Sequence, residues 1–116
     1  YKYVLYYLEV RQVFLDPEIS LKKLSGMIET NQTYLSNVVN RYFGCHLKDL
    51  LNKYRVEYAK ELLRSDTYTL EELPWRCGFL SRSTFYAAFK KMTGASPKKY
   101  MKHEQRAQLS ETIEYV

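Results

Sequence analysis

Thr69-Leu70-Glu71-Glu72-Leu73-Pro74-Trp75-Arg76-Cys77-Gly78-Phe79-Leu80-Ser81-Arg82-Ser83-Thr84-Phe85-Tyr86-Ala87-Ala88-Phe89-Lys90-Lys91-Met92-Thr93-Gly94 is the stretch that decides the fold. Thr69 followed by Glu72 reads as a capping box that opens a short helix reaching Cys77. Gly78 closes that helix, and Ser81 caps a second one, Arg82 to Met92, which Gly94 stops. Two helices joined by a tight turn have the layout of a helix-turn-helix. The same register occurs earlier in the chain. Leu21, Leu24 and Ile28 recur as Leu70, Leu73 and Cys77, 49 positions on (21 to 70). Leu35, Val39, Gly44, Leu47 and Leu50 recur as Phe85, Phe89, Gly94, Pro97 and Tyr100, 50 positions on (35 to 85), with the extra residue in the turn Gly78-Phe79-Leu80. A generic bundle of antiparallel pairs accounts less well for a duplicated register that includes its glycines.

Outward from this repeat the chain reads as helices throughout, with no alternating run bounded by turn residues. A first helix is expected from Lys2 to Arg11, with Val4, Tyr7, Leu8 and Arg11 on one side, stopped before Asp16-Pro17. Ser20 caps Leu21 to Ile28, whose inward stripe is Leu21, Leu24, Met27 and Ile28. Asn31 caps Gln32 to Phe43, with Leu35, Val38, Val39 and Tyr42 inward, and Gly44 supplies the left-handed stop. A helix from Leu47 to about Arg64, ended by Ser65-Asp66, carries Leu47, Leu50, Leu51, Tyr54, Tyr58, Ala59, Leu62 and Leu63 at helical spacing. A last helix starts at Pro97, a favourable first position, and runs through His103; the tail after Ala107 has no strong pattern. The expected class is all-α, with about seven helices and two helix-turn-helix units joined by a long linker helix. Its parts are an N-terminal helix and connector (1–19), the first unit (20–46), the linker (47–65), the second unit (66–95), a C-terminal helix (96–106) and a fraying tail (107–116).

Composition narrows the function. The chain has 116 residues, 46% hydrophobic and 27% charged, with 4 Gly and 3 Pro, which suits one small domain or two sharing a core. No stretch is apolar enough to span a membrane, and a chain opening at Tyr1 with no signal peptide reads as a piece of something longer. The formal charge is +5 with a pI near 9.1, and the excess is uneven. From Tyr1 to Asn31 four bases meet four acids, whereas from Arg82 to Arg106 there are seven bases and one acid, Glu104. A cationic face so concentrated suits a polyanion, most simply nucleic acid; the plainer reading is a solvated face. Cys45 and Cys77 are too few and too far apart for a disulfide framework or a CxxC pair, so a reduced cytoplasmic setting is expected, with both as small buried fillers. His46 and His103 are expected at the surface, and with no second ligand at metal spacing no metal site or cofactor is expected.

Ala59-Lys60-Glu61-Leu62-Leu63, Thr69-Leu70-Glu71-Glu72-Leu73, Gly78 to Lys91 and Gly94-Ala95-Ser96-Pro97 resemble the DNA-binding domain of AraC/XylS-type transcriptional regulators. Ser20-Leu21-x-x-Leu24 and Tyr34-Leu35-Ser36 agree in the first unit, so the resemblance covers roughly residues 20–102. It implies a bacterial-type regulator that binds double-stranded DNA at specific sequences and is not an enzyme. It also implies a sensor or dimerisation domain elsewhere in the full chain, and RNA polymerase as a further partner. A linker of about 18 residues is about 27 Å long, which can hold two reading helices about one DNA turn apart, in successive major-groove segments. The competing reading is a helical protein-interaction module with a basic face, which would expose large apolar anchors.

Helical spacing turns Gln32, Thr33, Ser36, Asn37, Asn40 and Arg41 outward in the first reading helix. The resemblance puts Thr33, Ser36 and Asn37 where base edges are met, with Gln32 and Tyr34 alongside; Asn40 and Arg41 suit phosphates. In the second, Arg82, Ser83, Thr84, Tyr86 and Ala87 are the groove candidates. Arg82 leads them, because its fork can bond guanine O6 and N7 together. Lys90, Lys91, Lys98 and Lys99 are phosphate candidates, with Lys102 beside them, and so are the amides of Ser83 and Lys99. Phe79 is expected in the core, Trp75 half exposed, and Tyr54, Tyr58 and Tyr100 packed on apolar stripes. Pro74 stands where the family usually has Ala inside a helix, and Gly26 is a lesser flaw of the same sort. An interior proline can cost ~3 kcal/mol; Pro74 is close to the helix start, so a local distortion rather than loss of the motif is expected, and Pro74→Ala is expected to raise the melting temperature.

Overall fold

The computed structural model describes residues 1–65, 68–102 and 104, and these are helical with no strand among them. In chain order the helices are α1 (Lys2–Leu5), α2 (Leu21–Ile28), α3 (Gln32–Phe43), α4 (Leu47–Ser65), α5 (Leu73–Arg76), α6 (Arg82–Thr93) and α7, residues 97–102. The helix boundary expected at Asp66, the placement of His103 and the tail beyond Ala107 lie outside the described residues. The chain divides into two compact units, residues 1–55 and residues from 56 onward.

In the first unit, Ser20 Oγ accepts the Lys23 amide at 3.1 Å and Asn31 Oδ1 accepts the Tyr34 amide at 2.8 Å, so both helices of the pair are capped by side chains. Leu24, Leu35 and Val39 are buried between them, joined by Leu47, Leu50 and Leu51 of α4. In the second unit, Ser81 Oγ accepts the Thr84 amide at 3.2 Å, and Ser96 Oγ accepts that of Lys99 at 3.3 Å at the start of α7. Here Leu73, Cys77, Phe79, Phe85 and Phe89 pack with Val56, Ala59 and Leu63 of α4.

The repeat extends to hydrogen bonds that side-chain patterning does not reveal. α2 ends with the Thr30 amide on the Ser25 carbonyl at 2.9 Å and the Glu29 amide on that of Gly26 at 3.3 Å. The second turn has the same pair 49 positions on (25 to 74): Phe79 on Pro74 at 2.9 Å and Gly78 on Trp75 at 3.4 Å. Both are Schellman closures, which require a left-handed residue. Gly78 fills that place at φ +89°, whereas the first turn uses Glu29 at φ +63°, where a side chain is strained by about 1 kcal/mol.

This register puts Pro74 in the first turn, which changes what its replacement should do. The α-helix starts at Leu73, so Pro74 falls in its first turn, where the missing N–H would have had no helical partner. The ring is fully buried, at the place that buried Ser25 holds in the first unit. Pro74→Ala is therefore expected to lower stability by about 1–2 kcal/mol, from lost burial and a freer unfolded chain. Thermal melts of the two proteins check it, and a rise in the alanine variant would restore the interior-strain reading. The capping box is likewise half as expected: the Thr69 amide donates to Glu72 Oε2 at 3.4 Å, but the Glu72 amide donates to the Thr69 backbone carbonyl at 3.1 Å. That bond closes a turn over residues 70–72, which shortens the helix to four residues.

Further expectations differ from the structure. The first helix does not run uniformly to Arg11: from Tyr6 to Val10 it widens into a π turn, in which the Arg11 amide reaches the Tyr6 carbonyl at 3.1 Å. Left-handed Gln12 then ends it well before Pro17, and Arg11 is exposed while Val4 and Leu8 are buried. Met27 and Tyr42 face outward, and Tyr42 stacks on Tyr1 with ring centres 4.9 Å apart. Cys45 is half exposed. Cys77 is buried as expected, and burial pushes its thiol up to about 12.

Arg55 is buried on the otherwise apolar side of α4, and for a physical reason. The short 3-10 turn Val13–Leu15 and the bend after it leave carbonyls with no α-helical partner. Arg55 Nε donates to the Phe14 carbonyl at 2.7 Å and Nη2 to that of Asp16 at 3.2 Å. Burial lowers the arginine's pKa and the Asp16 charge opposes this. Lys23 holds the Asp16 carboxyl below its ordinary value through a 2.5 Å hydrogen bond.

Candidate nucleic-acid interface

Each unit presents one long helix whose inner side is fixed by two buried residues four apart, Leu35 and Val39 in α3 and Phe85 and Phe89 in α6. Because side chains three and four apart share a helix face, the intervening positions are turned out. On α3, Gln32, Thr33, Tyr34, Asn37, Asn40 and Arg41 are exposed and Ser36 is half-buried. Ser36 borders an open cleft in the first unit, together with Ser20, His46, Lys48 and Arg55. The Arg41 guanidinium lies over the Tyr42 ring, 5.6 Å from its centre.

On α6, Arg82, Ser83, Thr84, Ala87, Lys90 and Lys91 are exposed and Tyr86 is half-buried. Two of these hydroxyls already have local work. Thr84 Oγ1 lies 2.7 Å from Ser81 Oγ and Ser83 Oγ 3.4 Å from it, so both belong to the capping cluster. Arg82 lies over the Tyr86 ring at 5.2 Å, with Nη2 donating to the Tyr86 hydroxyl at 3.5 Å. By sequence, Arg82 and Tyr86 are two separate groove candidates. Their spacing of four on one helix was the available signal. Lys98, Lys99 and Lys102 of α7 are exposed, and the Lys99 amide is taken up by the Ser96 cap.

The two faces thus differ in chemistry. The α3 face is mainly uncharged amide and hydroxyl with one cation, Arg41. The α6 and α7 faces carry Arg82, Lys90, Lys91, Lys98, Lys99 and Lys102. Uncharged polar groups suit base edges, and a cluster of cations supplies the field that draws in a polyanion. Among the described residues there is no cluster of three or more His, Cys, Asp or Glu able to hold a metal. Among them also, no helix is long and apolar enough to cross a membrane. Among the described residues of the second unit, the large exposed apolar groups, Trp75 at 61% and Leu80 at 63%, lie outside α6 and α7.

Comparison with known proteins agrees with this geometry. A family model described as a helix-turn-helix domain matches residues 24–103. The melibiose operon regulatory protein of Escherichia coli K12 is 24% identical over 91 residues, 78% of this chain but 30% of that protein. The chain therefore spans about a third of that relative's length. The C-terminal domain of AraT, a response regulator from Geobacillus stearothermophilus, is 30% identical with a TM-score of 0.75, covering 80% of this chain and 77% of that one. The DNA-binding domain of AdpA, solved with a target DNA, superposes with a TM-score of 0.80 over 91% of this chain and 92% of that one at 21% identity, a likeness of fold. With the duplicated caps and closures, these matches show that the chain belongs to the AraC-type helix-turn-helix family.

Proposed function

We propose that this chain is the sequence-specific, double-stranded DNA-binding domain of a transcription regulator and acts by binding rather than by catalysis. The observation that carries it is the paired reading helix, α3 and α6, each held by a buried apolar pair and turning a polar face to solvent. In this reading each helix enters a major-groove segment, the two segments being successive on the duplex. Gln32, Thr33, Ser36 and Asn37 on α3, and Arg82, Ser83, Thr84 and Ala87 on α6, are the base-edge group, with the Tyr86 ring beside Arg82. Arg41, Lys90, Lys91, Lys98 and Lys99 neutralise phosphates, and Asn40 hydrogen-bonds to one. The relatives' greater length accommodates a sensor or dimerisation domain, and a bacterial regulator of this kind works in the cytoplasm, with RNA polymerase as a further partner.

The test is selection of bound sites from random duplex DNA, followed by titration of the selected site and its single-base variants. Arg82→Ala is expected to reduce discrimination at one guanine-containing base pair by about 1–3 kcal/mol while changing other positions little. An equal weakening on every sequence would assign Arg82 to the backbone. A footprint confined to one groove segment would remove one of the two reading helices from the proposal.

A further inference from the structure

Arg82 opens α6 at a place that does not favour a cation. The unpaired amides of a helix's first turn carry partial positive charge and repel one. Among the described residues, no carboxylate stands within ion-pair distance of Arg82. What meets the guanidinium is Tyr86, one turn further on, with the ring centre at 5.2 Å and the hydroxyl at 3.5 Å. Side chains on a helix lean toward its N-terminus, so the residue four positions on covers the turn before it. The Tyr86 ring is itself held: it is half-buried, packs on the core of its unit, and meets Phe85 edge-on with centres 5.5 Å apart. Ser81, Arg82, Ser83 and Tyr86 together line an open depression beside the helix start. At the corresponding positions of the first unit, fifty earlier (82 to 32), stand Gln32 and Ser36, with neither charge nor ring.

We infer that Tyr86 is a positioning residue for Arg82 and so a determinant of base specificity, resting on the DNA-binding reading above. An arginine free in solvent loses rotamer freedom when its planar fork is fixed on a base. One already seated on an aromatic face has less to lose. The ring attracts the cation through its π face, and only Nη2 donates to the Tyr86 hydroxyl, at 3.5 Å. The guanidinium is thereby held in a limited set of orientations while its remaining N–H groups stay available to guanine O6 and N7. Tyr86 then contributes to discrimination at the base pair read by Arg82 rather than to general attraction.

The experiment uses the selected site and the same site altered at the base pair whose preference Arg82→Ala abolishes. Tyr86→Phe keeps the ring and is expected to preserve that preference within about twofold. Tyr86→Leu keeps apolar packing without a π face, and is expected to lower the preference about tenfold, within the range one arginine–guanine contact spans. Affinity for unrelated duplex and its salt dependence should stay unchanged. With Arg82 already replaced by Ala, Tyr86→Leu should change the preference no further. The inference is overturned if Tyr86→Leu leaves the preference intact, or lowers it equally without Arg82, which would make Tyr86 a direct base contact. It is also overturned if Tyr86→Leu weakens all sequences alike together with a lost helical signal, a purely structural effect. Should Arg82→Ala alter preference at no position, Arg82 does not read a base and the inference falls alone. Failure of the native chain to select any site would instead end the DNA-binding reading.

Discussion

Affinity for a selected duplex is expected to fall about 500-fold as monovalent salt rises from about 50 to about 200 mM. Five cations, Arg41, Lys90, Lys91, Lys98 and Lys99, are assigned to phosphates, and all are exposed. Each neutralised phosphate releases condensed counterions, so the logarithmic slope is about −0.9 per contact, or about −4.5 for five. A fourfold rise in salt then gives about 500-fold. Replacing both Lys90 and Lys91 by Ala should flatten the slope by about 2 and weaken selected and unrelated duplexes alike. Fluorescence titrations at four or five salt concentrations read both quantities. A slope near zero would remove the electrostatic basis of the proposed function.

The largest loss of stability is expected from Phe89→Ala, about 3–5 kcal/mol, read as a shift in the urea midpoint. Phe89 is fully buried, with ring centres 5.7 Å from Phe85 and 5.4 Å from Tyr100. Removing its ring leaves a void among rigid aromatic neighbours that relax only in part. Val39 occupies the same register in the first unit and is equally buried, but Val39→Ala deletes far less volume and is expected to cost less. Because Phe89 sets which side of α6 faces inward, its loss should also blur the sequence preference of Arg82. A cost below about 1 kcal/mol for Phe89→Ala would mean that the second unit's core is not organised around α6.

What could be read without a structure was what depends on neighbours along the chain. The caps Ser20, Asn31 and Ser81 and the stops Gly44 and Gly94 act within three or four residues, and each makes the bond or takes the left-handed angle that its local sequence anticipates. Leu24, Leu35, Leu73, Phe85 and Phe89 follow from helical spacing and are buried. Where burial had to be inferred from periodicity alone the reading was weaker. Tyr42 sits on the expected stripe yet lies at the helix end, 53% exposed and stacked on Tyr1.

The α4 helix shows the opposite failure. Arg55 breaks the apolar pattern, yet it is only 8% exposed. Its burial follows from carbonyls about forty residues earlier in the chain, turned inward by a 3-10 turn that periodicity did not predict. Pro74 is a related case. Whether a proline is harmful depends on where a helix starts, and the helix starts at Leu73, after a turn in which the Glu72 amide bonds the Thr69 carbonyl.

By itself, then, the sequence determined the all-helical class, the duplicated pair and the polar composition of the two reading helices, since these rest on local hydrogen bonding and hydrophobic spacing. Only the tertiary structure decided that Glu29 takes the place of a glycine, that Arg55 is a core residue and that Arg82 lies across Tyr86. Each of these depends on backbone angles or on groups brought together in space, and such contacts leave no period in the order of residues.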